Sequence, residues 1–257
     1  MAVRFQQNDP ANTENLPQRL ERKFYIEPNR VELAYGLLQQ VCIADADYPS
    51  EQINSLYFDT ADLEQYGRSA SGEYHKNKIR IRWYGSEDEL DSVQPVFIEL
   101  KTREGFAGMK QRMKWAVPAD ALRLNNLSGG IITQTVLVNI LAGFGFYCSQ
   151  MIEPVVMISY WRQRFRDLMT GQHVALDYHI RSTMIMLGSG NGEKALELPG
   201  AVMEIKGETL ELPITLMRAK MLYTDWTRFS KYTACVEAHG ERLGSIGRLS
   251  PSGRLIQ

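Results

Sequence analysis

Glu-x-Lys occurs three times in this chain, at Glu21-Arg22-Lys23, Glu99-Leu100-Lys101 and Glu204-Ile205-Lys206, each inside a run that alternates polar and apolar residues. A β-strand sends successive side chains to opposite faces, so each motif sets a carboxylate beside an ammonium on one face of a strand. The same two-residue phase links Lys76, Lys78, Arg80 and Arg82, then Lys101 and Arg103, Lys110, Arg112 and Lys114, and Arg162 and Arg164. The opposite face is expected to be apolar and to pack under helices, through Leu56, Phe58, Ile79, Ile81, Phe97, Leu100, Val202 and Ile205. Like charges facing one another across strands repel by a few tenths of a kcal/mol per pair. A solvated face would dilute them with Ser and Thr. Repetition over several strands points instead to a polar cavity that binds a highly charged anion.

The chain has 257 residues, of which 44% are hydrophobic and 23% charged, which suffices for one large core. Its net charge of −1 excludes a global polycation, and no nucleic-acid partner is expected. Acid must therefore gather elsewhere, as in Glu87, Asp88, Glu89 and Asp91. Cys42, Cys148 and Cys235 are odd in number and widely spaced, which fits buried thiols rather than a disulfide framework or a zinc knuckle. No run approaches the roughly 18 apolar residues of a membrane span, and the first residues lack a signal peptide's apolar core. A cytoplasmic location is expected.

Residues 1–18 read as a disordered tail, 19–240 as one domain and 241–257 as a flexible C-terminal tail. Strands are expected near 20–27, 51–59, 76–84, 95–103, 110–117, 153–166, 173–181 and 200–207. Helical patterns follow Pro28, Pro118 and Pro213, the second interrupted at Gly129-Gly130 and the third running to about Glu237 with Trp226 on its apolar face. A Gly-rich connection lies at Gly188 to Gly192.

Guanidinium groups bind phosphate through two parallel charge-assisted hydrogen bonds, so the strand bearing Lys78, Arg80 and Arg82 reads as phosphate-binding. Glu21, Glu99 and Glu204 either pair with the lysine two residues on or supply hard oxygen ligands to a divalent metal that bridges phosphate oxygens. No P-loop, dinucleotide Gly motif or kinase catalytic loop is present, and the four histidines show no metal-ligand spacing.

Several segments resemble, in order, the VTC domain of the vacuolar transporter chaperone polyphosphate polymerases. They are Arg22-Lys23-Phe24-Tyr25, Ser55-Leu56-Tyr57-Phe58-Asp59, Ile79-Arg80-Ile81-Arg82-Trp83-Tyr84-Gly85, Phe97-Ile98-Glu99-Leu100-Lys101-Thr102, Lys110-Gln111-Arg112, Ser159-Tyr160-Trp161-Arg162, Val202-Met203-Glu204-Ile205-Lys206 and Ser230-Lys231-Tyr232. The resemblance implies an α+β fold of the triphosphate tunnel metalloenzyme kind: an antiparallel β-barrel tunnel with helices packed outside. It also implies a phosphotransferase that moves the γ-phosphate of ATP to a growing polyphosphate chain with Mn²⁺ or Mg²⁺. By motif, Lys23, Arg80, Arg82, Lys101, Arg162 and Lys231 correspond to catalytic tunnel cations. Lys78, Lys110, Arg112, Arg181 and Lys206 correspond to phosphate-binding residues, along with Asp177 as a further tunnel-facing position. Glu204 corresponds to the metal-binding carboxylate, with Glu21 and Glu99 as further candidates.

The partners so implied are ATP, inorganic triphosphate and polyphosphate; the chain has no membrane span of its own, and a membrane-protein partner and the oligomeric state are left open. Two other functions share the resemblance: a tunnel-type triphosphatase, and a non-catalytic polyphosphate-binding module. Arg19 stands where the hydrolases carry the first Glu of Glu-x-Glu-x-Lys, which favours the polymerase.

Overall fold

The computed structural model describes residues 20–86, 91–105, 107–185, 195–207, 211–222 and 229–242. The expected N-terminal tail, Glu87, Asp88 and Glu89, the glycines 188–192, Trp226 and residues 243–257 lie outside the described residues.

Among the described residues nine strands form one antiparallel sheet: β1 (Leu20–Ile26), β2 (Cys42–Ala44), β3 (Ser50–Thr60), β4 (His75–Tyr84), β5 (Val93–Glu104), β6 (Ala107–Pro118), β7 (Ile152–Asp167), β8 (His173–Met184) and β9 (Leu196–Gly207). The order is β1-β9-β8-β7-β3-β4-β5-β6, with β2 appended to β7. The helices are α1 (Val31–Val41), α2 (Glu64–Ala70), α3 (Gln134–Gly143) and α4 (Lys231–Arg242). The 3-10 turns Pro28–Arg30, Ala119–Leu122, Leu124–Gly129 and Ile214–Leu222 fill three of the links.

The expected closed barrel is not formed. The sheet is open, because among the described residues no ladder joins β1 to β6, its two edge strands. It nevertheless curls far enough for Glu21 on β1 to meet Lys101 on β5 at 2.8 Å. The inward residues of β6 are Lys110, Arg112 and Lys114, and the one inward carboxylate of β1, Glu21, is already shared among Lys23, Lys101 and Lys206. Backbones brought to the roughly 4.8 Å of a ladder would set like charges side by side.

Two apolar clusters cover the convex side. Phe24, Ile26, Phe165, Leu176, Met203 and Ile205 pack under α1, while Leu56, Ile79, Ile81, Trp83, Ile98 and Leu100 pack under α3. The third cluster lies on the concave side, where Phe229, Tyr232, Cys235 and Val236 of α4 and its entry cover Tyr57, Ile158, Ile180, Leu198 and Val202. Val202 thus faces the concave side, as does Phe97, which pairs between Arg82 and Lys114; both were expected on the convex face. Their parity with Glu204 and Glu99 decides the matter against their hydrophobicity. The helical pattern after Pro213 divides into a 3-10 segment and α4.

Helix α2 and strand β2 carry no periodic signal of their own. What holds α2 is Asp59, at the end of β3 and fully buried, whose carboxylate accepts from the amides of Gln65 (2.9 Å) and Tyr66 (2.9 Å) and from the Tyr232 hydroxyl (2.6 Å). One side chain therefore anchors both α2 and α4. Asp59→Asn would turn a donor toward one of these donors, and we expect it to cost about 2 kcal/mol, read as a fall of roughly 5 °C in Tm. An unchanged Tm would remove Asp59 from this role.

The three cysteines are free; Cys42 and Cys235 are buried and Cys148 half-buried. Among the described residues no helix is long and apolar enough to cross a membrane.

Candidate functional site

Register places the charged phase of β1, β3 to β9 on the concave face. Across β4, β5 and β6 it forms rungs: Lys78, Lys101 and Lys110; then Arg80, Glu99 and Arg112; then Arg82, Phe97 and Lys114. On the other half, Lys23 lies opposite Glu204, Glu21 opposite Lys206, and Arg162 opposite Asp177.

Three carboxylates organise these cations. Glu99, almost fully buried, is met by Arg80 at 2.6 Å, Lys110 at 2.6 Å and Arg112 at 3.3 Å. Asp177, with no exposed surface, takes two hydrogen bonds from Arg162 (2.6 and 2.7 Å) and one from Lys231. Glu204 lies 3.3 Å from Arg162 and 3.4 Å from Lys206. Such forks hold guanidinium groups in fixed orientations.

Other cations are not neutralised in this way. Arg82 donates only to hydroxyls, Ser55 at 3.2 Å and Tyr160 at 3.2 Å, and among the described residues no carboxylate lies within ion-pairing distance of it. Lys78 donates to the Ser230 hydroxyl (2.7 Å) just before α4. Burial, and then the charges of Lys23, Lys101, Arg80 and Lys76, push the Lys78 ammonium well below its ordinary pKa. A half-buried lysine ringed by cations is a place where a multivalent anion relieves a standing repulsion.

Tyr160 was part of a motif but was assigned no role by the sequence. Its ring lies under Lys231 (4.7 Å) and Arg162 (5.6 Å). Burial alone would raise its phenol, but Arg82, Arg162 and Lys231 bring it below its ordinary value. Tyr57, which accepts from Arg80 at 3.1 Å and stacks on Tyr232 at 5.0 Å, was likewise unassigned. Their two-residue phase with Arg162 and Ser55 was the available signal.

One expected site residue is elsewhere. Arg181 projects from the convex side, exposed and paired with Glu197 at 3.0 Å. Simple alternation from Asp177 would turn it inward, but the irregularity between Tyr178 and Ile180, where His179 takes φ 49°, adds a residue and reverses the phase.

The family model described as the VTC domain matches residues 18–239. The chain belongs to the VTC domain family. That membership sets the chain in phosphate-related chemistry. No curated protein sequence matches the chain. Among solved structures, it is similar to a Bacillus halodurans protein provisionally designated an adenylate cyclase, at 13% identity and a TM-score of 0.44, over 93% of this chain and 92% of that one. A Vibrio parahaemolyticus protein of the same designation is similar at 12% identity and a TM-score of 0.40, over 93% of this chain and 94% of that one.

Of the three carboxylates considered for a metal, Glu99 is closed off by burial beneath its three cations. Glu21 and Glu204 share one end of the face. Burial and Glu204 push the Glu21 carboxyl up, yet Lys23, Lys101 and Lys206 hold it at about 2. Burial also opposes ionisation of Glu204, and Lys206, Lys23, Arg162 and Lys231 keep it well below the usual range. Both are therefore ionised oxygen donors at neutral pH. Among the described residues no group of three or more His, Cys, Asp or Glu is placed to hold a metal. Two carboxylates still fit Mg²⁺ or Mn²⁺, which complete their shells with water and substrate phosphate rather than with a protein cage.

Burial, opposed by Glu99 and reinforced by Arg80 and Arg82, brings the Lys110 ammonium down to about 8. Between that value and the ordinary lysine pKa the unfolded chain holds more protons, so this group's contribution to stability rises with pH through the window. A bound polyanion acts oppositely, drawing protons onto the lysine. At about pH 8.5 the wild type should take up more protons on binding inorganic triphosphate than Lys110→Arg, whose charge is permanent. Calorimetry in buffers of different ionisation enthalpy measures the difference, and equal uptake would place Lys110 outside the binding region.

Proposed function

We propose that this chain is an ATP-dependent polyphosphate polymerase, with phosphates held along the concave face by Lys23, Lys78, Arg80, Arg82, Lys101, Arg162 and Lys231. The observation that carries this reading is the convergence of cations from β1, β4, β5, β7 and α4 on one face, with Arg82 and Lys78 answered only by hydroxyls. The arrangement suits an extended polyanion better than a single phosphate, because the rungs repeat along the strands at roughly 6.6 Å per two residues.

In the transfer, an oxygen of the terminal phosphate of the acceptor chain attacks the γ-phosphorus of ATP. A new P–O bond forms, the bond from the γ-phosphorus to the β–γ bridging oxygen breaks, and ADP leaves with that electron pair. The acceptor is already ionised, so no general base is required, and positioning with charge stabilisation does most of the work. Arg80 and Arg162, oriented by Glu99 and Asp177, are suited to follow charge on the transferring group. Glu204 and Glu21 are the residues that would hold Mn²⁺ or Mg²⁺, which would supply neutralisation of phosphate oxygens.

The test is incubation of the purified chain with ATP and Mn²⁺, followed by separation of products. Long polyphosphate with stoichiometric ADP is the expected result. Free phosphate without polymer would replace this reading with a triphosphatase, and no turnover despite binding would replace it with a binding module.

A further inference from the structure

The last cationic rung, Arg82, Phe97 and Lys114, carries a ring at its centre, and Tyr84 lies one step beyond it on β4. Along β5 the inward positions run Lys101, Glu99 and Phe97, and along β4 they run Lys78, Arg80, Arg82 and Tyr84. Phe97 and Tyr84 meet edge to face, with ring centres 5.7 Å apart, and Tyr84 pairs with Ile53 of β3. Both rings are half-buried. Tyr84 packs against the concave apolar cluster, whereas Phe97 belongs to none of the buried clusters: its neighbours Val96 and Ile98 pack on the opposite side of the strand.

Arg112 marks the junction. Its guanidinium reaches Glu99 at 3.3 Å, donates to the Tyr84 hydroxyl at 3.2 Å and lies over the Phe97 ring at 3.5 Å. One planar group therefore bridges the phosphate-binding rungs and the aromatic pair. Such a stack of flat groups is what recognises a nucleobase without hydrogen-bond readout, because every base has a π-face. From the Lys78 rung to the Phe97 rung is four residues of strand, about 13 Å, so a nucleotide whose phosphates lie at the Lys78 and Arg80 rungs extends toward the rings.

We infer that the Tyr84–Phe97 end of the concave face, with Arg112, receives the base of a nucleoside triphosphate whose phosphates occupy the neighbouring cationic rungs. This rests on the proposed phosphate-binding role of the face and adds that the donor is recognised at its base end. It separates a nucleotide from inorganic triphosphate as the preferred small ligand.

The experiment compares binding of ATP and inorganic triphosphate, without metal so that nothing turns over, by calorimetry on the wild type, Phe97→Ala and Phe97→Leu. Phe97→Leu keeps apolar bulk and removes the ring, which guards against a variant that fails to fold; binding of inorganic triphosphate is itself the control for an intact face. ATP affinity should fall about tenfold in both variants, in line with the measured worth of a base–aromatic stack, while inorganic triphosphate affinity stays within about twofold. If Phe97 serves only to seat Arg112, both ligands weaken together and the base site is overturned. Unchanged ATP binding in both variants overturns it equally. If the wild type binds neither ligand, the phosphate-binding reading falls first, and the base site with it.

Discussion

Glu204→Gln should leave triphosphate binding intact or slightly tighter while metal-dependent turnover falls by about two orders of magnitude or more, equivalent to roughly 3 kcal/mol of transition-state stabilisation. The substitution keeps the shape of a side chain that is 6% exposed and removes its charge from beside Arg162, Lys206 and Lys23. Two roles for the carboxylate make opposite predictions. As a mere counter-ion it holds the face less positive than it would otherwise be, so the variant would bind phosphate better and turn over normally. As a metal ligand it cannot be replaced by an amide of the same shape. Initial rates across a Mn²⁺ titration, alongside metal-free triphosphate binding, separate the two. Wild-type rates throughout would move the metal-binding assignment to Glu21, whose side chain is 29% exposed, whereas that of Glu99 is 2% exposed beneath its three cations.

Asp177→Asn is expected to produce the largest loss of stability among single substitutions at the site. Its carboxylate has no exposed surface and holds Arg162 and Lys231, whose side chains are only 12% and 10% exposed. Removing one member of a buried ionic cluster strands the others away from water, at about 3 to 5 kcal/mol, which for a chain of this size corresponds to a fall of roughly 10 °C in Tm. The variant should also respond more strongly to ligand than the wild type does. A polyanion that reaches Arg162 and Lys231 supplies the lost counter-charge, so inorganic triphosphate should raise the variant's Tm by more than it raises the wild type's. An equal increment in both proteins would mean that the anion does not reach these two cations, and Arg162 and Lys231 would leave the proposed binding set.

Much of the sheet is legible locally. The strands carrying Lys76 to Arg82, Glu99 to Arg103 and Glu204 to Lys206 announce themselves by a period of two, and the observed β4, β5 and β9 contain them in that phase. Phe97 shows how a legible signal is misread: its parity with Glu99 places it on the concave face, while its side chain suggests the core. Periodicity is a statement about backbone geometry and outranks composition when the two conflict. Helix α2 had no comparable signal, because its first turn is held by a carboxylate from the preceding strand rather than by an apolar stripe.

By itself the sequence determined the strands other than β2, their charged phase and the family, because each rests on short-range alternation and on motifs that stay intact when read in one dimension. Only the tertiary structure decided that the sheet stays open at β1 and β6, that a bulge at His179 turns Arg181 away, and that the entry to α4 brings Ser230 to Lys78. Each of these depends on contacts between residues far apart in the chain. Edge closure is a competition between backbone hydrogen bonds and the repulsion of cations from different strands, and a bulge reverses a phase that is otherwise strictly local. The arrangement of Glu99 and Asp177 is of the same kind: which cations a buried carboxylate gathers is settled by the register between strands, which sets Arg80 and Arg112 opposite Glu99 and Arg162 opposite Asp177.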